Sequence, residues 1–215
     1  MNKRILLLVS FFFLVIGINA QTAKSLYVNM PDSLNQLLTK VNREDFADFL
    51  ASKMKAVVQN KFDKKSEMKE LTDDYLMVQT TESSTFQMKI LPLSDSTRII
   101  CAVKTFYGPA CDSEVHFYNM KWKEMPASNY ITLPSQADFF VSVDTTQEES
   151  FIMASSVLTM DLIKADLSSK DQKISFTYTT PETLGKDDLT KLSPFLKKEG
   201  IRMEWSKNKG MFVKL

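Results

Sequence analysis

The run "YLMVQTTESSTFQMKILPLSDSTRIICAVKTFYGPACDSEVHFYNMKW" (Tyr75–Trp122) decides how this chain folds. Four β-rich segments, Tyr75 to Thr80, Thr85 to Leu91, Thr97 to Phe106 and Ser113 to Trp122, are separated by "TESS", "PLSDS" and "YGPACD". Those breaks carry the Ser, Asp, Gly and Pro that turns require, so the spacing predicts a four-stranded antiparallel meander.

Upstream, Phe46, Phe49, Leu50, Met54, Val57 and Val58 recur at helical spacing, which predicts a helix over Asn42 to Asn60 with Asn42 as its cap. Leu34, Leu37, Leu38 and Val41 behind Asp32-Ser33 predict a shorter partner helix. A helical pair on one face of a meander is an α+β lobe, assigned here to residues 21–125. Residues 126–215 read as a second α+β lobe sharing a core with the first. Its expected elements are an extended stretch from Tyr130 to Val143 and a helix near Glu148 to Leu158. A hairpin in "DLIKADLSSKDQKISFTYT", a short helix before Pro194 and a closing hairpin turning at Asn208 to Gly210 follow. The fold class is α+β: two lobes of antiparallel sheet with helices packed on one face.

The first twenty residues have the order of a secretory signal peptide: Lys3 and Arg4, an apolar run from Ile5 to Ile18, and Ala20 at the cut. Fourteen apolar residues rise only about 21 Å as a helix, short of a bilayer core. Cleavage after Ala20 is expected, leaving a soluble periplasmic or secreted protein with no transmembrane span. Removing Lys3 and Arg4 takes the basic residues from 27 to 25 against 26 acidic ones. A net charge near −1 offers no positive field for nucleic acid.

"LTDDYL" (Leu71–Leu76), "LPLSDST" (Leu91–Thr97), "YGPACDS" (Tyr107–Ser113) and "YTTPETL" (Tyr178–Leu184), in that order behind a signal peptide, resemble an uncharacterised family of exported Bacteroidales proteins, a domain of unknown function. The resemblance implies export and a shared fold, and brings no activity or catalytic residue with it.

One histidine and two cysteines exclude the common structural zinc sites and a Cys-x-x-Cys redox pair. The five glycines form neither a G-x-S-x-G elbow nor a nucleotide cradle. Ser52/Lys55, Ser66/Lys69 and Ser206/Lys209 match S-x-x-K, a spacing this Ser- and Lys-rich chain produces by chance. No cofactor is implied.

The one concentration of ligand-type side chains is Asp112, Glu114 and His116, which alternate and so share a strand face. Asp112 and His116 stand about 13 Å apart along a strand, too far to hold one metal ion together. The plain reading is a polar sheet face, and the sharper one is an acid-base or metal site. Asp73/Asp74 and Asp187/Asp188 are further carboxylate pairs by adjacency. Tyr107 and Trp122 are the candidate binding aromatics.

Cys101 and Cys111 form a disulfide if a wide loop is centred near Phe106, and remain free thiols if the hairpin turns at Gly108-Pro109. The residues point to a non-enzymatic module presenting a sheet surface or strand edge to a protein, peptide or glycan of the cell envelope. The alternative is an envelope hydrolase using Glu114 and His116.

Overall fold

The computed structural model describes residues 21–215, so the expected signal peptide lies outside the described residues. Seven strands follow one another in an antiparallel meander: β1 (Val57–Gln59), β2 (Lys65–Leu71), β3 (Tyr75–Thr81), β4 (Ser84–Pro92), β5 (Arg98–Tyr107), β6 (Cys111–Asn119) and β7 (Glu124–Met125). A second antiparallel sheet contains β8 (Ile163–Leu167), β9 (Lys173–Tyr178), β10 (Ile201–Ser206) and β11 (Met211–Lys214), in the order β11-β10-β9-β8. Among the described residues four α-helices complete the α+β fold: α1 (Ala23–Val28), α2 (Lys40–Ala51), α3 (Glu148–Ser155) and α4 (Lys186–Leu192).

The central strands β4 and β5 are buried on both faces. Phe86, Met88, Ile90, Ile100 and Ala102 point to one side, where Leu26, Tyr27, Leu38 and Phe46 from the α1–α2 region complete a core. Leu91, Ile99, Cys101 and Val103 point to the other, into a core shared with Ala165, Ile174, Phe176, Trp205 and Phe212 of the second sheet. The first sheet is therefore the middle layer of three, with helices over one face and the small sheet over the other. Residues on both sides of the expected boundary at 125 contribute to the second core.

The contact between the sheets is polar as well as apolar. β8 is an edge strand, and its N–H groups at Ile163, Ala165 and Leu167 point away from β9. Asp112 Oδ1 accepts from Ile163 N at 3.2 Å, Ser113 Oγ from Ala165 N at 2.9 Å and Gln87 Oε1 from Leu167 N at 2.7 Å. The Gln87 amide also donates to Asp166 Oδ1 at 3.1 Å. Lys89, buried beside Gln87, meets Asp74 Oδ2 at 3.0 Å and Ser169 O at 3.3 Å. The inward face of β4 thus buries Thr85, Gln87 and Lys89. Each reaches a polar partner, the condition for tolerating polar groups inside a core.

Two expected helices are corrected. The helix read over Asn42 to Asn60 stops at Ala51, because Lys53 takes the left-handed conformation at φ 55° and Val57 and Val58 leave as strand β1 against β2. Its cap is Thr39, with Asn42 at the third helical position returning the bond: Asn42 N donates to Thr39 Oγ1 at 3.1 Å and Thr39 N to Asn42 Oδ1 at 3.1 Å. The shorter partner helix does not form: Asp32 to Leu38 run in turns and bends, and Val41 belongs to α2. Arg43 holds that segment in turns, its guanidinium donating to Leu38 O at 2.7 Å, Met30 O at 2.8 Å and Asp32 Oδ1 at 3.0 Å. The side chain is almost wholly buried, so these contacts replace its hydration. The meander gains β1, β2 and β7 over the four strands expected.

A third, smaller core holds α3 and α4 together through Ala154, Leu192 and Phe195. α4 ends at Leu192, and Pro194 enters a short 3-10 helix, Ser193–Phe195, where its missing N–H costs nothing. The closing hairpin turns through Gly210, whose φ of 64° requires glycine, with Leu93 Cδ1 only 3.0 Å from where a Cβ would stand.

Replacing Arg43 by Met strands the carbonyls of Met30 and Leu38, and we expect a loss of about 3–5 kcal/mol in urea unfolding. Gln87→Leu should cost about 1–3 kcal/mol, because Leu167 N loses its partner at the sheet contact and Asp166 Oδ1 loses its donor. An unchanged midpoint in the second variant would remove the polar tie between the sheets from the stability of the fold.

Candidate functional site

The β5–β6 hairpin carries most of the residues singled out in the sequence. Its register places Ala102 opposite His116, Lys104 opposite Glu114, Phe106 opposite Asp112 and Tyr107 opposite Cys111. The turn therefore falls at Gly108–Ala110, and Cys101 lies opposite Phe117. Of the two geometries open in the sequence, this is the one in which no disulfide forms, and both cysteines are free thiols. Cys101 is enclosed in the inter-sheet core, and burial pushes its thiol far up; Cys111 is half-buried, and burial raises it too.

Asp112, Glu114 and His116 do not converge. Asp112 is committed to the β8 edge, as above. Glu114 and His116 stay together and gain Glu124 of β7, which the sequence reading missed because it lies across the next strand pairing. His116 Nδ1 stands 2.9 Å from Glu124 Oε1 and Nε2 stands 3.4 Å from Glu114 Oε2. The carboxylates are more than half exposed, and the ring packs on Tyr118 with centroids 6.1 Å apart. This is a solvated polar cluster clasping β6 to β7. Among the described residues no group of three His, Cys, Asp or Glu side chains is arranged to hold a metal ion.

Trp122 is corrected from candidate binding surface to core. It is only 8% exposed, its indole Nε1 donates to Leu26 O at 3.0 Å, and its ring packs on Tyr118. Its backbone pays for that position with φ 62°, a left-handed conformation rare for a bulky side chain. Asn119 supports the turn by accepting from Lys121 N and Lys123 N at 2.9 and 3.0 Å. Tyr107 is half-buried, with its hydroxyl 3.3 Å from Thr85 Oγ1.

The strand edges are largely occupied. β8 is stapled by side chains, β11 receives Tyr130 O at Phe212 N (2.7 Å), and β1 and β7 are three and two residues long. One opening lies on the helical face of the first sheet. There a groove of about 370 Å³ runs between the Met30–Leu37 segment and the ends of β3, β4 and β5. Leu34, Leu37 and Phe86 line its apolar part, Thr80 and Ser84 its polar part, and Lys104 and Phe106 its mouth. Phe106 is half exposed. Sequence reading did not find the groove, because the Met30–Leu37 wall is held by contacts from elsewhere in the chain, Arg43 on Met30 O and Lys61 N on Leu37 O among them.

Sequence comparison places the chain in a family: residues 15–210 match the one described as "Protein of unknown function (DUF3256)", and the chain belongs to it. No curated protein matches the sequence. In structure it is similar to a domain of an uncharacterised protein from Porphyromonas gingivalis W83, with a TM-score of 0.79 and 25% identity over 89% of this chain and 96% of that one.

Alkylation followed by mass spectrometry should label Cys111 in the native protein and Cys101 only after unfolding. An intact mass lowered by two hydrogens under oxidising conditions would contradict the register. Trp122→Ala should lower stability by about 3–5 kcal/mol, partly offset by relief of the left-handed strain. A loss below 1 kcal/mol would mean that Trp122 is not a core residue.

Proposed function

We propose that the chain is an exported, non-catalytic binding module of the bacterial cell envelope, and that its ligand lies in the groove under the Met30–Leu37 segment. The observation that carries this is the pairing of a half-exposed Phe106 with Lys104 at the mouth of an apolar recess. An aromatic ring left in water on a sheet face beside a cation is the composition of a recognition surface. The groove suits a ligand with an apolar part for Leu34, Phe86 and Phe106 and an acceptor or anionic part for Lys104. A peptide fits that profile better than a glycan, since two phenyl rings, Phe86 buried and Phe106 half exposed, without an indole or phenol offer little for a sugar to stack and bond on.

Export rests on the order of charged, apolar and small residues before Gln21 and on the family resemblance. Among the described residues no helix is long and apolar enough to cross a membrane. The hydrolase reading draws on the Glu114, His116 and Glu124 contacts. An open, hydrated surface forgoes the strengthening of electrostatics that a water-excluded site supplies, so binding is the better account.

A photo-crosslinking side chain at position 106 of the tagged protein, expressed in its own envelope, tests the proposal. The expected result is one recurrent captured species, reduced at least tenfold by Lys104→Ala and Leu34→Ser and unaffected by His116→Ala. Capture that is indifferent to the groove variants would refute the groove. A hydrolytic activity lost in both Glu114→Ala and His116→Ala would establish the enzyme reading in its place.

A further inference from the structure

α3 is eight residues long and apolar on two sides. Phe151 and Ala154 face the third core, whereas Ile152 is 58% and Met153 69% exposed. Beside them a groove of about 360 Å³ runs between α3 and α4, lined by Met153, Ala154, Val157 and Phe195, with Asp188 and Lys191 on its far wall. Leu189 of α4 and Met160 after α3 add exposed apolar surface in the same part of the chain. So short a helix has little stability of its own, and leaving half its apolar side chains in water is a burial left incomplete.

The surrounding charge says what would complete it. α3 and its flanking segments, residues 141–161, contain four acidic side chains, Asp144, Glu148, Glu149 and Asp161, and no Lys, Arg or His. Glu148 and Glu149 stand exposed in the first turn of α3, and Asp187, exposed, and Asp188, half-buried, in the first turn of α4. The local cations are Lys186 and Lys191, and Lys191 lies 3.8 Å from Asp188. An apolar patch with an acidic rim repels an anionic bilayer leaflet, which argues against insertion of Ile152 and Met153 into a membrane. A second copy of the chain would bring the same acidic side chains to the contact, which disfavours a two-fold association there.

We infer that the α3–α4 face docks a cationic amphipathic helix of a partner protein, its apolar side over Ile152, Met153 and Val157 and its Lys or Arg residues against Glu148, Glu149 and Asp187. Long, flexible methionine side chains such as Met153 suit such a surface because they adapt to the incoming helix. The site lies outside the Phe106 groove and is independent of it.

The test uses the mature chain with labelled methionine methyl groups and two 18-residue helical peptides of identical spacing, one of Leu and Lys and one of Leu and Glu. The expected result is binding of the Leu/Lys peptide at least tenfold tighter than the Leu/Glu peptide, with shifts at Met153 and Met160. Affinity should fall at least tenfold in Ile152→Ser/Met153→Ser and again in Glu148→Lys/Glu149→Lys. These positions are exposed, so thermal unfolding of the variants should match the parent and separate lost docking from lost folding. Equal affinity for both peptides, shifts confined to other methionines, or undiminished binding by either variant would overturn the proposal. So would a dimer of the chain dissolved by the Ile152→Ser/Met153→Ser pair, or flotation with anionic vesicles.

Discussion

The structure depends on how the outer edge of β8 is satisfied. An edge strand laid across another sheet buries N–H groups that have lost water and gained no strand. Here the lower sheet supplies side-chain acceptors at the two-residue repeat of the edge: Asp112 for Ile163, Ser113 for Ala165 and Gln87 for Leu167. That contact lets the small sheet sit on the large one with its edge inward, closing the core around Cys101, Phe117 and Phe176. It also explains why Asp112 is unavailable for chemistry. Its carboxylate is a substitute strand partner, and the polar row on β4 is structural.

A second constraint acts on the opposite face. Arg43 binds the carbonyls of Met30 and Leu38 from within the core and so fixes the chain between α1 and α2. The wall of the Phe106 groove is the outer surface of that fixed segment. A buried cation on one side of a loop thereby shapes a recess on the other. The groove and the α3–α4 face are both places where burial stops short: helices cover the first sheet only as far as Phe86, and α3 has neighbours on one side only.

The turn-separated runs from Tyr75 to Trp122 were legible because period-two patterning and Gly, Pro, Asp and Ser breaks are local properties. The closing hairpin at Gly210 and the end of α4 before Pro194 were legible for the same reason. Val57 and Val58 were misread because their spacing continues a helical stripe, and only pairing with Ser66 and Glu67 shows them to be a strand. β2, with its Lys and Glu residues, carried no strand signal, since one of its faces is open to water. Of the site, the sequence showed Glu114 and His116 as neighbours on one face, but Glu124 is brought to them by a turn whose geometry rests on Trp122 adopting a conformation its residue type disfavours.

By itself, then, the sequence determined the α+β class, the meander, and the exclusion of zinc, nucleotide and hydrolase-elbow motifs, because these follow from residue types and short spacings. Tertiary structure alone decided that Cys101 and Cys111 stay apart, that Trp122 is core and Phe106 surface, and where the two recesses lie. Each of those depends on which strand or side chain arrives from tens of residues away to complete a hydrogen bond or cover an apolar face, and a local pattern carries no record of that arrival.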